Sequence, residues 1–139
     1  MKHENITAVI LKSFYKVYNT LGYGFLEKVY QNSLLLELVH QDLSVQKQRQ
    51  INVFYLGQQV GEYYADLIVN DVVIIELKAH ECIIEEHENQ LVNYLEATEI
   101  EVGLLLNFGP KPEFKRKVFE NQRKRMLPLN AEKNLLPSA

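Results

Sequence analysis

Cysteine is almost absent, since Cys82 is the only one in 139 residues. No intrachain disulfide can form, and no cysteine-based zinc cluster can be assembled within one chain. Hard oxygen ligands are the obvious metal chemistry left. Long apolar runs are missing as well. The longest, such as Val72 to Ile75 and Gly103 to Leu106, fall far short of the roughly 18 residues that a bilayer-spanning helix needs. The opening residues, Met1-Lys2-His3-Glu4-Asn5, place an acid where a signal peptide would be turning apolar. A cytoplasmic protein with no membrane partner is therefore expected. Excess positive charge is lacking too: the net charge is -3, which by itself gives no support to nucleic-acid binding.

The charge is unevenly distributed. Residues 1–110 hold seven Lys/Arg against fifteen Asp/Glu, whereas 111–125 hold seven Lys/Arg against Glu113 and Glu120. The second segment, with Lys115, Arg116 and Lys117 at its centre, is the candidate phosphate-tracking surface. The competing reading is a solvated strand followed by a fraying tail. A composition of 47% apolar and 24% charged residues suits one globular core.

Hydrophobic spacing orders the chain. Ile6, Val9, Ile10, Phe14, Val17, Tyr18 and Leu21 recur at helical intervals, with Gly22 placed as a stop. Leu26, Val29, Tyr30, Leu34 and Leu38 resume that period after Gly22-Tyr23-Gly24, as far as the polar stretch at His40 to Asp42. From Val45 the period becomes two, with Ile51, Val53 and Tyr55 alternating against Asn52 and Phe54. A turn at Gly57-Gln58-Gln59, a strand over 60–69, a turn at Asn70-Asp71 and a strand over 72–78 complete a three-stranded antiparallel meander. Residues 85–98 read as a helix with Leu91, Val92 and Leu95 inward. Residues 102–108 read as a strand buried on both faces, and an edge strand follows around Phe114 to Phe119. The expected order is α-α-β-β-β-α-β-β in one domain over 1–120, with a polar tail over 121–139.

Chemistry concentrates on Asp66, Glu76 and Lys78, a D, nine residues, E-x-K pattern carried on two apolar runs. Carboxylates in half-buried strands are costly unless paired, and a shared divalent cation is one way of offsetting that cost. Glu76 and Lys78 project to one side of their strand, about 7 Å apart, while Leu77 points into the opposite layer. That leaves the Leu77 carbonyl able to face a cation. Register then makes a demand. A plain two-residue hairpin at Asn70-Asp71 would pair Asp66 with Ile75 and send its carboxylate to the wrong side. The site requires an odd loop or a bulge, with Val69 opposite Val73 and Asp66 opposite Glu76, Cβ atoms about 5 Å apart. Mg²⁺, or Mn²⁺ in its place, would neutralise two anions that close, lower the pKa of an attacking water and stabilise charge on a phosphate. Lys78 would orient or deprotonate that water. On the residues alone, an exposed ion pair on a solvated sheet face remains the alternative.

Gly24-Phe25-Leu26-Glu27-Lys28-Val29-Tyr30 resembles the motif that names the GxxExxY family, and Ala65-Asp66, Glu76-Leu77-Lys78 and His87-Glu88-Asn89-Gln90-Leu91 match its later elements in order. One departure is Ala65, which stands where the superfamily pattern has proline. The family is grouped with the PD-(D/E)XK nucleases, which implies an α/β (α+β) restriction-endonuclease-like core, a mixed central sheet flanked by helices. The resemblance also implies that Glu27 extends the metal shell of Asp66, Glu76 and the Leu77 carbonyl. By its position in a first helical turn, Glu27 could equally complement the helix dipole. Gly24, Glu27 and Tyr30 are spaced to share one helix face, with Tyr30 a packing residue whose hydroxyl finds a local partner. His87, Gln90 and Tyr94 form a polar stripe on the third helix, and Gln90 with Tyr94 resembles the Q-x-x-x-Y element of the superfamily's exonuclease branch, which supports metal ligands or substrate phosphate. The implied activity is Mg²⁺-dependent hydrolysis of DNA, with RNA left open, in repair, recombination or defence. The alternative is an inactive nuclease-fold module that binds nucleic acid or a protein partner, and a homodimer would enlarge the groove of so small and acidic a body.

Overall fold

The first helix, α1 (Glu4–Leu21), buries the line Thr7, Ile10, Ser13, Phe14 and Val17, the one-sided stripe that its helical spacing dictates. It ends where the Gly22 amide donates to the Tyr18 carbonyl at 2.8 Å. Helix α2 (Glu27–His40) buries Tyr30, Gln31, Leu34 and Leu38. Leu26 and Val29, expected on the inward face, are 79% and 37% exposed. Leu26 stands just outside the helix, and the inward face is set by the Tyr30 ring, which stacks on Phe108 at 4.2 Å. The computed structural model describes residues 2–125.

Strands β1 (Val45–Tyr55), β2 (Gln58–Val69) and β3 (Val73–Lys78) form the expected antiparallel meander; helix α3 (Glu85–Ala97) then leads to β4 (Val102–Phe108) and β5 (Pro112–Val118). The sheet order is β1-β2-β3-β4-β5. Only the β3–β4 pair is parallel, because α3 crosses between those two strands. The first hairpin turns at Leu56-Gly57, one residue earlier than the sequence suggests, with Tyr55 opposite Gln58 and both turn residues at positive φ. The β2–β3 loop is odd. Val69 pairs with Val73, and Asn70 and Asp71 adopt φ of 50° and 59° within a three-residue loop.

Helices cover both faces of the sheet. On one side α1 and α2 enclose Leu67, Val69, Val73, Ile75, Leu77, Leu104 and Leu106; on the other α3 encloses Ile68, Ile74 and Leu105 through Leu91, Tyr94 and Leu95. Strand β4 is buried along its whole length, as its unbroken apolar run implies.

The stretch expected to begin a polar tail at residue 121 is instead docked as far as Arg125. A 3-10 turn spans Asn121–Arg123, and the Lys124 ammonium, 5% exposed, donates to the carbonyls of Thr98 at 2.8 Å and Ile100 at 2.7 Å. Burial pushes its pKa down to about 8. The rest of that expected tail, 126–139, lies outside the described residues. Lys124→Ala leaves two carbonyls without their charged donor and is expected to destabilise the fold by about 2–3 kcal/mol, read as a lower urea midpoint; an unchanged midpoint would show that the anchor contributes nothing.

Candidate active site

Asp66 lies where both of its neighbouring ladders lapse. Its opposite position on β1 is Gln48, which adopts φ 53° and drops out of the pairing between Lys47–Leu67 and Arg49–Ala65. On the other side the β2–β3 ladder stops at Leu67–Ile75, one position short of placing Asp66 across from Glu76. Groups that a continuous sheet would consume are therefore used locally. The Leu77 amide donates to Asp66 Oδ2 at 2.9 Å, and the Asp66 carbonyl accepts from Gln31 Nε2 of α2 at 3.3 Å. The carboxylate is fixed by β3, and its backbone by α2.

Beside it, Glu76 is 4% exposed and its Oε1 is buried with no hydrogen-bond partner. Burial, followed by hydrogen bonding and charge repulsion from Asp66, holds the Glu76 carboxyl well above its ordinary range, against a smaller opposing pull from Lys78. The two acids thus meet as the odd-loop register requires. Leu77, between Glu76 and Lys78, is buried on the α1/α2 side.

Glu27 is the first residue of α2. Burial raises its pKa, and among the charges acting on it are Lys78, Asp66 and His80, so α2 brings its N-terminal acid to the same end of the sheet. Among the described residues no three His, Cys, Asp or Glu side chains form a group that could hold a metal ion, so Glu27, Asp66 and Glu76 do not form one. Gly24 precedes the helix, at φ 117°, and so does not share a helix face with Glu27 and Tyr30. Tyr30 is fully buried, and its hydroxyl donates to the Gly22 carbonyl at 2.6 Å and accepts the Phe25 amide at 3.1 Å. It shapes the connector from which Glu27 emerges.

From the opposite face α3 contributes its polar stripe. Gln90 Nε2 donates to the Tyr94 hydroxyl at 2.8 Å. Burial, together with the Glu76 and Asp66 charges, raises the Tyr94 phenol, which locates it beside the acids. His87 is 8% exposed and accepts the Ile84 amide at its Nδ1 over 3.4 Å. Burial, then the nearby charges of Lys78 and His80, lower its pKa. The His80 and His87 rings lie 4.8 Å apart.

The basic run is split by strand alternation. Lys117 reaches across to Glu88 of α3 at 2.7 Å, while Arg116 points to the other face and donates to the Lys2 carbonyl at 2.8 Å. Lys115 is exposed, in the row that runs through Leu105 to Glu76. The three do not form one phosphate-tracking surface.

Two supporting residues escaped the sequence reading. Gln31 was detectable as the polar member of the inward line Gln31, Leu34, Leu38. Asn107 was detectable as the one polar side chain in a strand buried on both faces. Its amide clamps the residue after β3, accepting the His80 N–H at 2.9 Å and donating to the His80 carbonyl at 3.0 Å. Gly109 belongs to the same clamp, since a Cβ there would sit 2.5 Å from the His80 carbonyl oxygen.

A mixed five-stranded sheet between helices, with Glu76 and Lys78 toward the end of its central strand and Asp66 on the neighbouring one, defines a restriction-endonuclease-like fold. The chain belongs to the PD-(D/E)XK nuclease superfamily, whose sequence model matches residues 4–117. A solved structure titled "Crystal structure of SSO0001" is similar at 14% identity and a TM-score of 0.49, covering 93% of this chain and 85% of its own. No curated protein matches the chain.

The acid pair has a consequence for stability. The unfolded Glu76 carboxyl loses its proton near 4.5 and the native one at higher pH. Unfolding between those values releases protons, so stability falls as pH rises through that window. Glu76→Gln, which keeps the shape without the charge, is expected to raise the melting temperature of the metal-free protein at neutral pH and flatten its pH dependence. Thermal melts of both proteins across the window check this, and a variant that melts lower than wild type at neutral pH would contradict it.

Proposed function

We propose that this protein is a divalent-metal-dependent nuclease that hydrolyses DNA phosphodiester bonds. The observation that carries the reading is the acid pair: Asp66 and Glu76 brought together across the break in the ladder, with Glu76 Oε1 buried and without a partner. Two close carboxylates, one with an unsatisfied oxygen, suit a hard cation better than any protein donor within reach. Asp66, Glu76 and the Leu77 carbonyl would hold Mg²⁺, or Mn²⁺ in its place. When bound, the ion lowers the pKa of water and offsets charge on the phosphate.

The protein's own groups do the rest. Lys78, one strand pitch beyond Glu76, orients or deprotonates the attacking water and balances negative charge as it builds on phosphorus. Glu27 adds an acid at the rim, just after the connector that the Tyr30 hydroxyl ties together. Gln90 and Tyr94 form a hydrogen-bonded wall on the α3 side, with His87 and His80 beside Lys78. The spacing of Gly24, Glu27 and Tyr30 supports a GxxExxY-type member of the superfamily, acting in repair, recombination or defence in the cytoplasm. Lys115 is the cation of β5 best sited to meet a phosphate. RNA as substrate and a homodimer remain compatible with this reading.

A second reading is a module that keeps the fold without turnover and binds a partner. It draws on the exposed apolar tip of the β1–β2 hairpin, where Tyr55, Leu56 and Val60 are 65%, 82% and 62% exposed. No helix among the described residues is long and apolar enough to cross a membrane.

Plasmid and single-stranded DNA incubated with Mg²⁺ or Mn²⁺ separate the two readings. Wild type is expected to cut, with Lys78→Ala and Asp66→Asn each slower by about 100-fold or more. Equal cleavage by all three would trace the activity to a contaminant. Millimolar Mn²⁺ is also expected to raise the melting temperature of wild type more than that of Asp66→Asn, because a ligand held only by the native state stabilises it.

A further inference from the structure

A small pocket opens on the α3 face of the sheet, between β1, β2 and α3. Its lining is Ile51, Val53, Tyr63, Asn93, Tyr94 and Ala97, and its volume is about 230 Å³. That is smaller than the roughly 300–1,000 Å³ of drug-sized ligand sites, which suits one planar ring system and excludes a helix or a folded peptide. Two of its walls are aromatic. Tyr63 is 46% exposed at the mouth, Tyr94 is 4% exposed within, and their ring centroids lie 5.6 Å apart with planes tilted by 50°. The aliphatic side chains of Ile51 and Val53 supply apolar contact. The Asn93 amide, in the exposed position, offers one donor group and one acceptor to the edge of whatever lies inside.

The pocket is linked to the acid site through one of its lining residues. Tyr94 is common to both: its ring lines the pocket and its hydroxyl, bonded to Gln90, lies on the Glu76 side. The strand that carries Tyr63 also carries Asp66, three residues further on. The two tyrosine rings touch each other and form one wall, so a group stacked against that wall lies on the side of the strand and helix that lead to Asp66 and Glu76.

We propose that this pocket receives an unpaired nucleobase, making single-stranded or locally opened nucleic acid the substrate class. The proposal rests on the nuclease reading of the neighbouring acids. A base has two apolar faces for the aromatic and aliphatic walls and a polar edge for the Asn93 amide. It is also covalently tied to a phosphate one sugar away. Stacking on aromatic side chains tolerates any base sequence, which agrees with a chain that carries no base-reading motif. A base inside an intact duplex is stacked and paired on all sides and cannot enter without leaving the helix.

The test uses the full chain and a short DNA oligonucleotide carrying 2-aminopurine, whose fluorescence is quenched on stacking. Single-stranded probe and a duplex of the same sequence are titrated in the presence of Ca²⁺, and cleavage with Mn²⁺ is followed separately. Wild type is expected to bind and quench the single strand and leave the already dim duplex unbound and unchanged. Tyr63→Ala is expected to weaken binding about tenfold and lose the quench, with Tyr63→Phe restoring both. Tyr64→Ala serves as the control, because the neighbouring Tyr64 is exposed and its hydroxyl is bonded to Glu62 instead. Absence of single-strand binding by wild type overturns the proposal, as does Tyr63→Ala binding like wild type or equally tight binding of the duplex. Tyr63-dependent quenching without cleavage by wild type leaves the base pocket standing and removes the nuclease reading. Cleavage of single strands that ignores Tyr63 does the reverse.

Discussion

The hydrogen bond from the Leu77 amide to the Asp66 carboxylate spans a gap where the β2–β3 ladder has already stopped, and the site depends on that gap. In a continuous ladder the Leu77 amide would be spoken for and the Asp66 carboxylate would have to find its own partner. Here the backbone of one strand fixes the acid of the next. A carboxylate that accepts an amide hydrogen is held in one orientation, and this one is held beside Glu76. The rest follows from that fixed point: the raised proton affinity of Glu76, its unsatisfied oxygen, and the convergence of Lys78 and Tyr94 on the same end of the sheet.

Maintaining the gap takes contributions from distant parts of the chain. The three-residue loop with Asn70 and Asp71 at positive φ sets the parity of β2 against β3. Gln48, also at positive φ, releases Asp66 from β1, and Gln31 from α2 accepts responsibility for the freed carbonyl. Beyond β3, the Asn107 amide clamps His80 from both sides, so the segment after Lys78 leaves the sheet in a defined direction. Gln31 and Asn107 each meet a backbone polar group that the gap or the strand end would otherwise leave without a protein partner. The architecture that exposes the acids is the same one that keeps the fold satisfied.

Much of this was legible from residue order. The helical stripes of Ile10, Phe14 and Val17, and of Leu91 and Leu95, follow from a 3.6-residue period that the packing then uses. The apolar run of β4 announced a strand covered on both faces. The odd β2–β3 loop was legible too, but through chemistry: only that parity lets Asp66 face Glu76. What escaped were contacts between elements far apart in sequence. Nothing near Gln31 says that it will meet the Asp66 carbonyl thirty-five residues later. The basic run of β5 looked like one surface, yet alternation sends Arg116 to the opposite side from Lys117. Gly24 sits at helical spacing from Glu27 but lies before the helix begins.

By itself the sequence determined the kinds of elements, their order, and the residues able to carry acid and base chemistry, because these depend on periodicity and side-chain type within short windows. Tertiary structure alone decided which of those residues share a site, where the ladders break, and that a tyrosine-walled pocket adjoins the acids. The physical reason is that strand register, helix docking and desolvation are set by packing between segments tens of residues apart. A carboxylate's pKa or an orphaned oxygen exists only once those segments have closed around it.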